Sequence, residues 1–194
     1  MLKKIYFIIL LIQIVLLSYI CYIIYNNSLS NDWAFDDYLA IYNNKDVAEG
    51  ANYINLWRND IWGKSLLAHD SHRSFRPLLV IVFKWLRSLY GLTPSAFRIA
   101  SICSHLVTTI LLYYVGFIVI GSSTISFGAC MLFITHPVHV ESVSAVVNMA
   151  EPMCAIFILS AYIMYRKSTY KFHAIELQLD TYSGMLFTII QTSI

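Results

Sequence analysis

The stretch IYFIILLIQIVLLSYICYIIY, residues 5–25, is apolar apart from Gln13 and Ser18. At about 1.5 Å of rise per residue, a helix of this length matches the roughly 30 Å hydrocarbon core of a bilayer. Lys3 and Lys4 precede it. Cationic flanks stay on the cytosolic side, so the N-terminus is expected in the cytosol and the residues after Tyr25 in a lumen. The run exceeds the about 7–15 apolar residues of a secretory leader, so residues 1–25 read as an uncleaved anchor helix.

The rest of the chain carries the same signal. It is 58% hydrophobic and 12% charged, with mean hydropathy +0.64 over 194 residues, too apolar for an ordinary soluble domain. A net charge of +2 with scattered cations excludes a nucleic-acid partner. Cys21, Cys103, Cys130 and Cys154 all lie in apolar runs without metal-type spacing and read as packing residues.

Residues 26–97 form a long polar loop. Within it Pro77–Tyr90, PLLVIVFKWLRSLY, opens on a proline suited to a first helical turn and stops at Gly91, a C-cap signal. Lys84, Arg87 and Ser88 share one side of that helix and Leu79, Phe83, Leu86 and Tyr90 another. The pattern fits a helix lying in the membrane interface, or else a core helix of the luminal loop. Beyond the loop, residues 98–167 hold three further apolar runs, about 100–120, 124–135 and 153–165, before Arg166 and Lys167. Four crossings would put those cations in the cytosol and leave both the loop and a His136–Glu141 turn luminal. Residues 168–194 are unassigned, and the chain is expected to be truncated there. The fold class expected is an all-α membrane protein of about four transmembrane helices.

Just past the first span lies Phe35-Asp36-Asp37-Tyr38. Two carboxylates held beyond a bilayer can be a catalytic base and its partner, an ion site, or a local turn cap. His136, His139 and Glu141 show an H-x-x-H-x-E spacing that invites a divalent metal. Pro137 breaks the helix that would align the imidazoles, so these groups, with Glu151, are expected to line a luminal cavity, with no metal assigned. His105 in the second span should face the bundle interior.

Taken in order, Phe35-Asp36-Asp37, Ala40-Ile41, Asn44-Lys45-Asp46, Asn59-Asp60-Ile61-Trp62-Gly63, Ser71-His72-Arg73-Ser74-Phe75-Arg76-Pro77-Leu78, Gly91-Leu92-Thr93-Pro94 and His136-Pro137-Val138-His139-Val140-Glu141 resemble the transmembrane and tetratricopeptide-repeat O-mannosyltransferases (TMTC). The similarity covers roughly residues 32–152. It implies the N-terminal part of a multi-spanning GT-C-type glycosyltransferase of the endoplasmic reticulum membrane. Such an enzyme moves mannose from dolichyl phosphate mannose, a polyprenyl phosphate donor, to Ser or Thr hydroxyls of acceptors such as cadherin-like domains. The chain lacks the family's repeats, and Val147-Asn148-Met149-Ala150-Glu151-Pro152 stands where the family has Arg-Ala-Glu-Leu.

On that reading Asp36 or Asp37 takes the hydroxyl proton as the glycosidic bond forms, in an inverting displacement that needs one base. Arg76, at the start of the 77–90 helix and assisted by Arg73 and His72, would hold the donor phosphate, because a guanidinium forks onto phosphate oxygens. The alternatives are a membrane transporter or lipid-handling protein with a luminal carboxylate site, or an inactive fragment.

Overall fold

The computed structural model describes residues 2–170, with side chains from Lys4 onward. The C-terminal tail from Lys171, with its apolar stretch 185–194, lies outside the described residues. Six helices follow in order: α1 Leu2–Tyr25, α2 Pro77–Tyr90, α3 Pro94–Ile120, α4 Ser123–Thr135, α5 His139–Ser144 and α6 over residues 150–170. No strand occurs among the described residues. The chain divides into two compact units at Ile156 and Phe157, and the described part of the second is helical.

Three helical stretches are long and apolar enough to cross a membrane: Lys4–Ser30, Pro94–Ile120 and Val146–Tyr170. This is an all-α membrane protein. Helix α4, at 13 residues, is about 20 Å long and falls short of the hydrocarbon core. It nevertheless returns the chain along α3. Cys130 Sγ faces Thr109 O at 3.6 Å, Phe133 stacks on His105, and a Cβ on Gly116 would meet Ser126 Oγ at 3.2 Å. These pairings fix an antiparallel α3–α4 hairpin whose close end depends on glycine.

Helix α1 buries Leu17, Cys21 and Tyr25, one stripe at i, i+4, i+8. Its Gln13, unexpected in an apolar run, accepts a hydrogen bond from Tyr113 Oη at 2.5 Å. Helix α3 is inside out relative to a soluble helix. Arg98, Ser101, His105, Thr108, Thr109 and Tyr113 are on its buried side, while Ile99, Val107, Val119 and Ile120 are exposed. That arrangement suits a helix whose solvent is lipid, because polar groups then turn inward to find partners.

The loop between α1 and α3 packs into one hydrophobic cluster together with α3 and with Val146, Val147 and Met149. Trp33, Ile41, Val47, Leu56, Ile61, Leu79, Phe83 and Phe97 pack in one cluster, so α2 is a core helix of the loop on that side. Its other side exposes Leu78, Trp85 and Leu89. Lys84, placed on a polar side by the sequence pattern, is buried and donates through Nζ to Ala48 O at 3.0 Å and Ala51 O at 2.8 Å. Burial draws its ammonium below the usual lysine range.

Asp60 organises the middle of the loop. One carboxylate oxygen accepts the N–H groups of Trp62 and Lys64, each at 3.0 Å; the other accepts Ser71 Oγ at 2.6 Å and the His72 N–H at 3.2 Å. Gly63 completes the turn at φ +76, where a Cβ would meet Asn44 Oδ1 at 2.5 Å. Burial raises the Asp60 carboxyl, but these donors outweigh it and hold it below the usual range. A depressed folded value contributes stability that is present above the unfolded value of about 3.9 and is lost as pH falls through the folded one. Thermal midpoints of the unsubstituted chain should therefore drop more steeply with acid below about pH 4 than those of Asp60→Asn. Parallel pH curves would contradict the assignment.

Candidate active site

Tyr25 ends α1, and a 3₁₀ turn over Asn26–Ser30 leads the chain across the end of α3. There Phe35 adopts φ 44, a left-handed conformation rare for a bulky residue. This kink separates its two successors. Asp36 is exposed, while Asp37 is 1% exposed. Burial pushes the Asp37 carboxyl above the usual range, against two groups that draw it down: the Val147 N–H, donating to Oδ1 at 3.1 Å, and Arg98, whose guanidinium lies 4.0 Å from Oδ2.

Arg98 is the residue the sequence reading missed. It is buried in the first turns of α3 and donates to Ser144 O and to Asp32 O, both at 2.5 Å. It thus ties the segment before the acidic pair to the end of α5. A signal existed in the sequence: Thr93-Pro94 is a cap and first-turn pair, which starts the helix early enough to put Arg98 on the face of Ser101 and His105.

Asp36 and Asp37 line a cavity of about 510 Å³ together with Asp32, Arg98, Glu141 and Asn148. The acidic pair and Glu141, more than a hundred residues apart, are brought together. The other residues read as site groups are elsewhere. His136 is exposed and its Nδ1 accepts the Val138 N–H at 3.2 Å. The His139 ring packs on Phe133 and beside His105; burial, then the neighbouring His136, draws its imidazole below the usual range. Glu151 accepts a hydrogen bond from Ser142 Oγ. None of these three lines the cavity. Among the described residues no group of three or more His, Cys, Asp or Glu side chains is placed to hold a metal ion.

His72, Arg73 and Arg76 are exposed and do not line the cavity. The Asp60 hub fixes their backbone through Ser71 and His72, Arg73 takes φ 60, and Arg76 occupies the N-cap position of α2 without a capping hydrogen bond from its side chain. Asp70, a conceivable partner for Arg76, pairs instead with Lys64 at 2.7 Å.

Sequence comparison decides the lineage. The chain is 36% identical over 146 residues to human protein O-mannosyl-transferase TMTC1, covering 74% of this chain and 17% of that protein. It is 33% identical over 178 residues to Drosophila melanogaster protein O-mannosyl-transferase Tmtc3, covering 81% and 19%. Over about three-quarters of its own length the chain is homologous to the TMTC proteins. Human TMTC4 matches at 34% over 155 residues, covering 73% and 21%. The chain spans about one-fifth of the length of these TMTC relatives. No family model matches the chain, and no solved structure does.

Proposed function

We propose that the chain carries the acceptor-activating part of a protein O-mannosyltransferase that uses dolichyl phosphate mannose. A Ser or Thr hydroxyl is almost un-ionised at neutral pH, so transfer gains from a carboxylate that takes its proton as the bond to the sugar forms. The observation that carries this reading is the division of labour in the acidic pair. Asp36 is open to the cavity and can meet a hydroxyl; Asp37 is held by Val147 and Arg98 and fixes the backbone from which Asp36 projects. In an inverting displacement the leaving phosphate lies across the anomeric carbon from the base, and it needs cations rather than a second carboxylate. Arg76, with Arg73 and His72, is the proposed contact for that phosphate. Glu141 belongs to the acceptor side.

The proposed setting is the endoplasmic reticulum membrane, with the N-terminus cytosolic and the cavity luminal. Supporting it, the residues on either side of the α3–α4 hairpin line one cavity and so share one side. Membranes carrying the chain, from cells lacking the endogenous activity, should incorporate mannose from dolichyl phosphate mannose into a Ser/Thr peptide above the level of membranes without it. Equal incorporation would remove the reading.

The orientation has its own test. Ser71 is a poor labelling site because its hydroxyl bonds Asp60, whereas Leu67 is 95% exposed. In a background with the four native cysteines replaced by alanine, Leu67→Cys should react with a membrane-impermeant thiol reagent only after the lumen of sealed vesicles is opened. Labelling from the cytosolic side would reverse the topology.

A further inference from the structure

The cavity is more acidic than one proton transfer requires. Asp37 and Arg98 form a buried pair, and both terminal nitrogens of Arg98 are already committed to backbone carbonyls. Beyond that pair the lining still carries Asp32, Asp36 and Glu141, with no further cation among the lining residues. Apolar walls from Phe35, 94% exposed, and Val140 flank these carboxylates. Carboxylates gathered on one concave wall raise the local concentration of cationic groups.

A second observation points to a ligand rather than to a solvated acidic surface. Asp37 Oδ2 is buried with no hydrogen-bond partner, and so is Arg98 Nε at the same wall. Buried polar atoms are ordinarily satisfied, so the orphan carboxylate oxygen of Asp37, a residue that lines the cavity, is a place where a bound donor can complete the bonding. An anion entering here would meet three carboxylates. A chain bearing a hydroxyl and a nearby cation would meet complementary charge and an exposed aromatic face that attracts cations.

We infer that this cavity selects acceptor polypeptides in which a Lys or Arg neighbours the Ser or Thr that receives the sugar. The inference rests on the proposed acceptor role of the cavity. It also accounts for the separation of the acidic cavity from Arg73 and Arg76: base and acceptor occupy the anionic side, the leaving phosphate the cationic one.

The test uses fluorescent peptides with one Thr flanked by Lys, Gln or Glu, and the full chain in lipid nanodiscs. The Lys-flanked peptide should bind about tenfold more tightly than the Glu-flanked one at low salt, in the range expected of complementary charge pairs. Glu141→Gln should shrink that ratio without abolishing binding. The unsubstituted chain in 1 M NaCl serves as a second arm that leaves α5 untouched, where a Debye length of about 3 Å should also shrink the ratio. Equal affinity for the three peptides, no binding of any, or a preference for Glu would overturn the inference. Mannose transfer to the same peptides is read separately. Equal transfer to all three would also overturn the selectivity while leaving the transferase reading intact, and charge-selective binding with no transfer to any would do the reverse.

Discussion

Arg98→Met should lower folding stability by about 3–5 kcal/mol, the range for removing one partner of a buried ion pair. The loss has two sources. Asp37 would remain at 1% exposure with its cation gone, and the carbonyls of Asp32 and Ser144 would lose the donors that now reach them at 2.5 Å. Unfolding in detergent micelles followed by helical signal and by tryptophan emission measures this directly, since Trp33 packs edge-on against Phe97, the residue before Arg98. Arg98→Lys keeps the charge but cannot fork to two carbonyls and should fall between the two. The double substitution Arg98→Met with Asp37→Asn should cost less than the sum of the singles, because it no longer leaves a charge unpaired. A loss below about 1 kcal/mol for Arg98→Met would show the pair to be no anchor.

The parts of this molecule that were legible in the sequence are those set by local pattern. Pro77 and Gly91 bound α2 where the chain folds it, because proline at a first turn and a positive-φ glycine at a C-cap act within a few residues. The span 5–25 needs only its own hydropathy. Long-range partnerships were not legible. That Asp37 would be buried and Asp36 exposed depends on the Val147 amide, 110 residues away in sequence, and on Arg98. The polar side of α2 looked solvent-facing, yet Lys84 is buried because carbonyls of the 46–51 loop, more than thirty residues upstream, come to meet its ammonium. The histidines at 136 and 139 share a short motif with Glu141, but the short helix α5 directs Glu141 to the cavity and the His139 ring toward Phe133 and His105.

The second large effect expected is on rate. Asp36→Asn keeps the size of an exposed side chain and much of its hydrogen bonding, so stability should change little, within about 0.5 kcal/mol for a surface position. Proton acceptance disappears, and loss of a general base costs about 10²–10⁴ in rate. Asp37→Asn should show the opposite balance. Its Oδ1 can still accept the Val147 N–H, but Arg98 loses its counter-charge, so the main effect should be on stability, with a smaller fall in transfer through a loosened motif. Two adjacent acids would then separate by phenotype: one substitution slows transfer in a stable chain, the other weakens the chain itself.

Mannose incorporation from dolichyl phosphate mannose into a Ser/Thr peptide tests the central claim most directly, with the unsubstituted chain, Asp36→Asn and Asp37→Asn compared at matched membrane levels. The geometry predicts transfer by the unsubstituted chain, a fall of at least about 10² in Asp36→Asn, and an intermediate rate in Asp37→Asn. Full transfer by both single variants would contradict it, and no carboxylate of the pair could then be the base.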